Sequence, residues 1–408
     1  MKTGVTGVEH IGQTATRFLA RASHRVWLAA VLLLVALVIA GCRHLPSHPF
    51  ESAAVLGDIV AQQGPSRLKR TTPPPIRSQV QYVMQRQTYR ADLYLPGDKA
   101  QAGIVLVPGA AEEGKNDPRL VAFANTLARA RFAVLVPEIV QVREFNLGTS
   151  NVVDIAQGLR FLVSRPDLAP EGRVGLAAIS YAVGPAILAA LQPDLRDEVD
   201  FIVGVGGYYD LEKVIAFFTT GYFRDYTKPD SSWQYLSPNV YGKWVFVLAN
   251  LDRFSDASDR EILEAMAQRK LKDPDAPVES LAAQLGTQGR AYYELLVNRD
   301  PKRTPELLKS LPQGILREFQ ALNLANQDLS KLKARLILFH GLDDNIIPYT
   351  ESIALAQAAG KDQVSLYLIK GLAHVDVKAM GVSDKLKLWC GVDALLRERS
   401  RASPAKNP

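Results

Sequence analysis

The sequence predicts an α/β protein, with a mostly parallel sheet covered by helices on both faces and a helical cap insertion. Three observations carry this. From residue 79 onward, short unbroken apolar runs such as GIVLVP (103–108) and ARLILF (334–339) alternate with longer segments whose apolar residues recur at helical spacing. That is the pattern of buried parallel strands joined by crossover helices. The composition, 47% hydrophobic and 22% charged, is that of a globular chain. The alternation breaks off after 209 and resumes at 331, so the intervening residues read as an insertion.

The elements follow in order. Residues 26–41 are an uninterrupted apolar run preceded by basic residues and ending Ile39-Ala40-Gly41-Cys42. A bilayer span needs about 20 apolar residues, and this run is shorter, so it reads as the apolar segment of a signal peptide over 1–41. Residues 42–78, with Thr71-Thr72-Pro73-Pro74-Pro75, read as an extended tether holding at most a short helix near 53–62. Residues 79–209 and 331–400 read as the core. In it, 79–85 and 91–95 form an opening antiparallel pair. Strands are expected at 103–108, 132–136, 173–178, 201–205, 334–339 and 363–369, and helices at 118–130, 151–164, 180–191, 351–359 and 384–399. Residues 210–330 form the insertion, with a capping box at Ser258–Glu261 and an N-terminal proline at Thr304-Pro305. Ten aromatics fall between Phe217 and Phe246, and most are expected to build the insertion's own core.

In a parallel sheet of this kind, chemistry belongs at the carboxyl ends of the strands. Three such ends carry reactive side chains. The first is VGLAAIS, where Ser180 turns a strand into a helix with Ala178 and Ala182 on either side. On its own Ser180 also fits a helix N-cap. The second is His340-Gly-Leu-Asp343-Asp344-Asn-Ile-Ile-Pro348, and the third is Lys370-Gly-Leu-Ala-His374. They come in the order serine, aspartate, histidine.

Together these segments resemble the α/β-hydrolase superfamily, nearest its esterase and dienelactone-hydrolase-like branches. Its G-x-S-x-G elbow is matched here with alanines in place of both glycines. The resemblance implies Ser180 as nucleophile, Asp344 as the acid with Asp343 its solvated neighbour, and His374 as the base. It places the oxyanion donors at the backbone N–H of Tyr181 and, in the loop Pro108-Gly109-Ala110-Ala111, of Ala110. His340 takes the motif's structural position. The stretch ending at Cys42 resembles the lipobox of bacterial lipoproteins, which implies lipidation of Cys42 and residence on a membrane of the cell envelope.

The implied activity is cleavage of carboxylic esters or thioesters through an acyl-enzyme. A peptidase or acyltransferase with the same three residues is the nearest alternative, and a catalytically silent envelope binding protein the more distant one. The formal charge of +6 falls to +3 once four basic residues and one acidic residue of the first 41 are set aside. That is too little and too dispersed to suggest nucleic acid as a partner. No zinc-type spacing or phosphate-binding glycine loop occurs, so no metal or cofactor is expected. Two cysteines give no disulfide framework, and Cys390 reads as a small buried side chain.

Overall fold

The computed structural model describes residues 46–360, 362–374, 376–377 and 380–401. The expected signal segment and Cys42 lie outside the described residues. Among those described, no helix is long and apolar enough to cross a membrane.

Eight strands make one sheet: β1 (Ile76–Met84), β2 (Gln87–Leu95), β3 (Ala102–Val107), β4 (Phe132–Pro137), β5 (Val174–Ile179), β6 (Val199–Val205), β7 (Arg335–Gly341) and β8 (Val364–Ile369). Their spatial order is β1-β2-β4-β3-β5-β6-β7-β8. β2 is antiparallel to both β1 and β4, and every pair from β4 to β8 is parallel. This strand order, with only β2 reversed, is the α/β-hydrolase fold. Parallel neighbours require crossovers, which the helices between the strands supply.

The two faces of the sheet hold separate cores. Along β3, Val105 and Val107 face one core, with Ile155, Leu159, Ile187 and Leu355. Ile104 and Leu106 face the other, with Val55, Leu127 and Leu395. Alternate residues of a strand point to opposite faces, so a strand buried on both must be apolar throughout. Each such side chain contributes about 1.5–3 kcal/mol by burial.

The longer helices are α1 (Pro49–Ala61), α2 (Pro118–Arg129), α3 (Thr149–Val163), α4 (Val183–Ala190), α5 (Leu211–Thr220), α6 (Val240–Leu248), α7 (Ala257–Lys272), α8 (Thr287–Val297), α9 (Gln313–Leu322), α10 (Thr350–Ala359) and α11 (Val382–Ser400). α3, α4 and α10 contribute to the first core, and α1, α2 and α11 to the second.

Residues 46–78 differ from the expected tether. α1 packs on the core through Val55, and the chain then forms a helical turn at Arg67–Thr71 before β1 begins at Ile76. Asp58, fully buried, accepts from Thr126 Oγ1 at 2.7 Å and Lys69 Nζ at 2.7 Å, and also from Ser66 Oγ. Asp393 of α11 accepts from the backbone N–H groups of Ser47 and His48, at 3.1 and 2.7 Å, just ahead of α1. Arg399 holds Glu51 by two hydrogen bonds of 2.6 and 3.0 Å. A proline- and serine-bearing composition signals an open chain only when distant partners are ignored, and Asp393 and Arg399 are more than 300 residues from the groups they hold.

The insertion is helical from α5 to α9, but it also contains a hairpin, Tyr222–Arg224 against Trp233–Tyr235, that the sequence did not suggest. The cap of α7 is Asp256, whose carboxylate accepts from Ser258 N at 2.9 Å, in place of a box starting at Ser258. The chain enters this helix at Ala257, so the N–H groups needing an acceptor lie next to Asp256. Of the aromatics, Phe217 and Phe223 form a small cluster with Tyr349, while Phe218 and Phe246 face a cavity above the sheet.

Candidate active site

Ser180 sits where β5 ends and a tight turn, Ser180–Ala182, leads into α4. Its φ is +56°, in the left-handed region that costs a residue with a side chain about 1–2 kcal/mol. Ser180 is the first residue of the turn, after Ile179 at the cap position, and its hydroxyl meets His374, so Ser180 is not an N-cap. The strained turn lifts its hydroxyl out of the strand end instead. Ala178 and Ala182 are buried without difficulty. The places where a Cβ would clash lie further from the serine on either side. A Cβ at Gly184 would overlap the Tyr208 hydroxyl, and one at Gly175 would overlap the Phe201 ring.

Asp344 follows β7 and is nearly fully buried. Its Oδ1 accepts from the backbone N–H groups of Ile346 and Ile347, at 2.9 and 3.0 Å. Its Oδ2 faces His374 Nδ1 at 2.8 Å. Burial alone would raise the Asp344 carboxyl. The charge of His374, hydrogen bonds from His340 and His374, and the charge of His340 outweigh it and hold the group well below the usual carboxylate range.

His374 lies in the loop after β8, with φ at +54°. With Asp344 ionised, Nδ1 carries the ring proton and donates to it. Nε2 is left to accept from Ser180 Oγ, also at 2.8 Å. The structure thus brings together the three side chains singled out in sequence, from three different strand ends.

The contacts made by several neighbours were not legible in the sequence. His340 is fully buried, with Nδ1 at 2.7 Å from Ser352 Oγ and Nε2 at 2.9 Å from the Ile347 carbonyl. A carbonyl only accepts, so Nε2 is the protonated nitrogen and His340 pins the loop that carries Asp344. Asp343 is not merely solvated, because its Oδ1 accepts from Gly371 N at 3.1 Å and ties the acid loop to the histidine loop. Gly206, at φ +62°, lets the backbone after β6 pass beside the pair. A Cβ there would stand 3.3 Å from His374 Nδ1 and 3.4 Å from Asp344 Oδ2.

The loop after β3 runs against the serine. A Cβ on Gly109 would lie 3.4 Å from that of Ser180. Tyr241, at the start of α6, donates its hydroxyl to the Ala110 carbonyl at 3.0 Å, and Asn239 N donates to the Asn345 carbonyl at 2.7 Å. The insertion therefore touches both the loop of Ala110 and the loop of Asp344. Among the described residues, no protein acceptor takes the backbone N–H of Tyr181 or of Ala110. Both residues line the same cavity of about 710 Å³ as Ser180 and His374. No group of three or more potential metal ligands occurs among the described residues.

No family model matches the sequence, and no curated protein matches it. Solved structures do. A Legionella pneumophila protein described as a hydrolase is 12% identical, with a TM-score of 0.49, over 86% of this chain and 96% of its own. A thermostable carboxylesterase from a metagenomic library is 14% identical, with a TM-score of 0.44, over 87% and 95%. The acylaminoacyl peptidase of Pyrococcus horikoshii is 11% identical, with a TM-score of 0.41, over 83% of this chain. This chain spans only 43% of that peptidase. Similarity this remote bears on neither substrate nor mechanism, which must come from the site.

Proposed function

We propose that the protein is a serine hydrolase that cleaves carboxylic ester or thioester bonds through an acyl-enzyme on Ser180. The observation that carries this is the unbroken line Ser180 Oγ, His374 Nε2, His374 Nδ1, Asp344 Oδ2, with both hydrogen bonds at 2.8 Å. A serine hydroxyl is a poor nucleophile until a base removes its proton. In this reading Ser180 Oγ attacks the acyl carbonyl as its proton passes to His374 Nε2. Asp344 keeps the ring in the productive tautomer and stabilises the imidazolium. The oxyanion that develops is met by the N–H groups of Tyr181 and Ala110, each worth about 3–4 kcal/mol to the transition state. His374 then protonates the leaving alcohol or thiol, and a water, deprotonated by the same nitrogen, releases the acid and restores Ser180.

Esters are favoured over peptides because most of the lining of the cavity that holds Ser180 is apolar, with Val214, Ile215, Phe218 and Phe246 among its walls. A peptide would leave its backbone groups there without partners. Amidase and acyltransferase chemistry would use the same groups, so a panel of esters, thioesters and peptide amides separates them. The assignment itself is tested with a fluorophosphonate probe. Ser180 should be labelled in the wild type, while Ser180→Ala should unfold near the wild-type temperature, escape labelling and lose at least about 10⁴-fold in kcat. A folded Ser180→Ala that keeps most of its turnover of p-nitrophenyl esters would end the proposal.

We further propose that Cys42 carries a lipid that anchors the chain to a membrane of the cell envelope. The support is the short apolar run and the small residues before the cysteine. Processing should be sensitive to globomycin, and a mature protein that still bears residues 26–41 by mass spectrometry would contradict it.

A further inference from the structure

The cavity at Ser180 draws its walls from both cores. Val214, Ile215 and Phe218 belong to the core on one face of the sheet, and Leu120, Val203 and Phe339 to the core on the other. The sheet separates these cores, so a single void lined by both must pass over its carboxyl edge, where Ser180 stands. One limb runs under the insertion. The other runs between α1, α2 and α11, past Leu56, Ile59, Phe123 and Leu388. These four side chains are only partly buried, although they pack against the second core.

We infer that the substrate is a neutral ester, apolar on both sides of its carbonyl, with a long hydrocarbon chain lying in the limb between α1, α2 and α11. This rests on the serine-hydrolase reading of the site and adds the substrate class. A short ester would occupy the space near Ser180 and leave the far limb to water, against apolar walls that gain nothing from it. A hydrocarbon chain would remove those walls from water, at a gain set by the area covered. The charged groups at that end, Asp117 and Arg119, already hold one another at 2.9 Å, so nothing there calls for an ionic head group. The outer wall of this limb is α1, which starts seven residues after Cys42. At about 3.3–3.6 Å per residue, a chain held at Cys42 would keep the start of α1 within roughly 25 Å of the lipid, where long-chain esters are concentrated.

The test is the chain-length profile of the full protein in detergent, on p-nitrophenyl acetate, octanoate and palmitate. kcat/KM should rise about tenfold or more from acetate to the longer esters. Ile59→Trp and, from a different helix, Leu388→Trp should each lower turnover of the long esters about tenfold, comparable to losing two buried methylenes. Turnover of acetate should stay within about twofold. Two helices are probed so that a variant that fails to fold leaves the other to decide. A wild-type preference for acetate would overturn the inference. So would folded variants that keep the wild-type profile, or that lose acetate and palmitate in equal proportion. Fluorophosphonate labelling separates the two readings. Labelled Ser180 with a flat profile removes only the long-chain inference, whereas an unlabelled Ser180 removes the hydrolase reading itself.

Discussion

Ser180 and two residues around it, Gly206 and Tyr241, show how little material sets the geometry of the site. The serine backbone is held in a left-handed conformation that only the surrounding turn enforces, and strain of this kind concentrates where a side chain must be aimed. Gly206 does the complementary work by leaving room. Gly206→Ala would place a methyl against both His374 and Asp344 at a φ that alanine adopts at a cost. The variant should stay folded but lose activity, measured as kcat on a short ester, by more than tenfold. Tyr241 acts at one remove through the Ala110 carbonyl. Tyr241→Phe removes one neutral hydrogen bond, worth about 0.5–1.5 kcal/mol. The expected result is a two- to tenfold fall in kcat with KM nearly unchanged. Ser180, Asp344 and His374 were legible because each follows an apolar strand run within a few residues. Gly206, Tyr241 and the tie from Asp343 to Gly371 were not. Their meaning lies in partners more than 25 residues away, and local pattern does not carry that information.

At the scale of elements, the helix expected near 53–62 is present as α1, and what the sequence misread is its packing on the core. Its composition is compatible with an open tether, and it becomes a helix of the core because Asp58, Glu51 and the N–H groups of Ser47 and His48 find partners on α2 and α11. Asp58→Ala would take one acceptor from each of Thr126 Oγ1, Ser66 Oγ and Lys69 Nζ, leaving Thr126 the Ala122 carbonyl and Lys69 the Gln62 carbonyl. Loss of such a buried acceptor costs about 2–3 kcal/mol. Limited proteolysis of this variant should cut between residues 46 and 75 before the rest of the domain, while wild type resists. The sheet strands, by contrast, were placed to within a few residues of their observed bounds, because burial on both faces forces them to be continuously apolar. The hairpin Tyr222–Arg224/Trp233–Tyr235 was missed because its short strands lie on the surface, where apolar alternation is weak.

For the whole molecule, the insertion is rooted at one carboxyl. Glu351, fully buried on α10, accepts from the N–H groups of Tyr209 and Asp210 at 3.0 and 2.6 Å. These residues also meet the far end of the insertion, where Ala325 N donates to Tyr209 O and Leu211 N donates to Asn323 Oδ1. Burial, and secondarily the charge of Asp210, raise the Glu351 carboxyl to about 7 against the hydrogen bonds that lower it. The unfolded chain releases this proton near 4.5. Between those values the folded state holds more protons, so this group lowers stability as pH rises, with the full penalty present above 7. Glu351→Gln keeps an acceptor and removes the charge. Its Tm relative to wild type should move upward between pH 5 and pH 8, by an amount corresponding to about 1–3 kcal/mol. A difference that stays constant with pH would show that the carboxyl is ionised throughout.

The grip of α11 on the start of α1 bears on when this protein can finish folding. Asp393 and Arg399 reach back about 345 residues to His48 and Glu51, so those contacts cannot form until nearly the whole described chain has left the ribosome. Contacts this distant in sequence make for slow completion. Until then the helix that precedes the sheet lacks its most distant anchors, and the partly made domain stays open at that end. The domain would lock shut last of all, when its two ends meet.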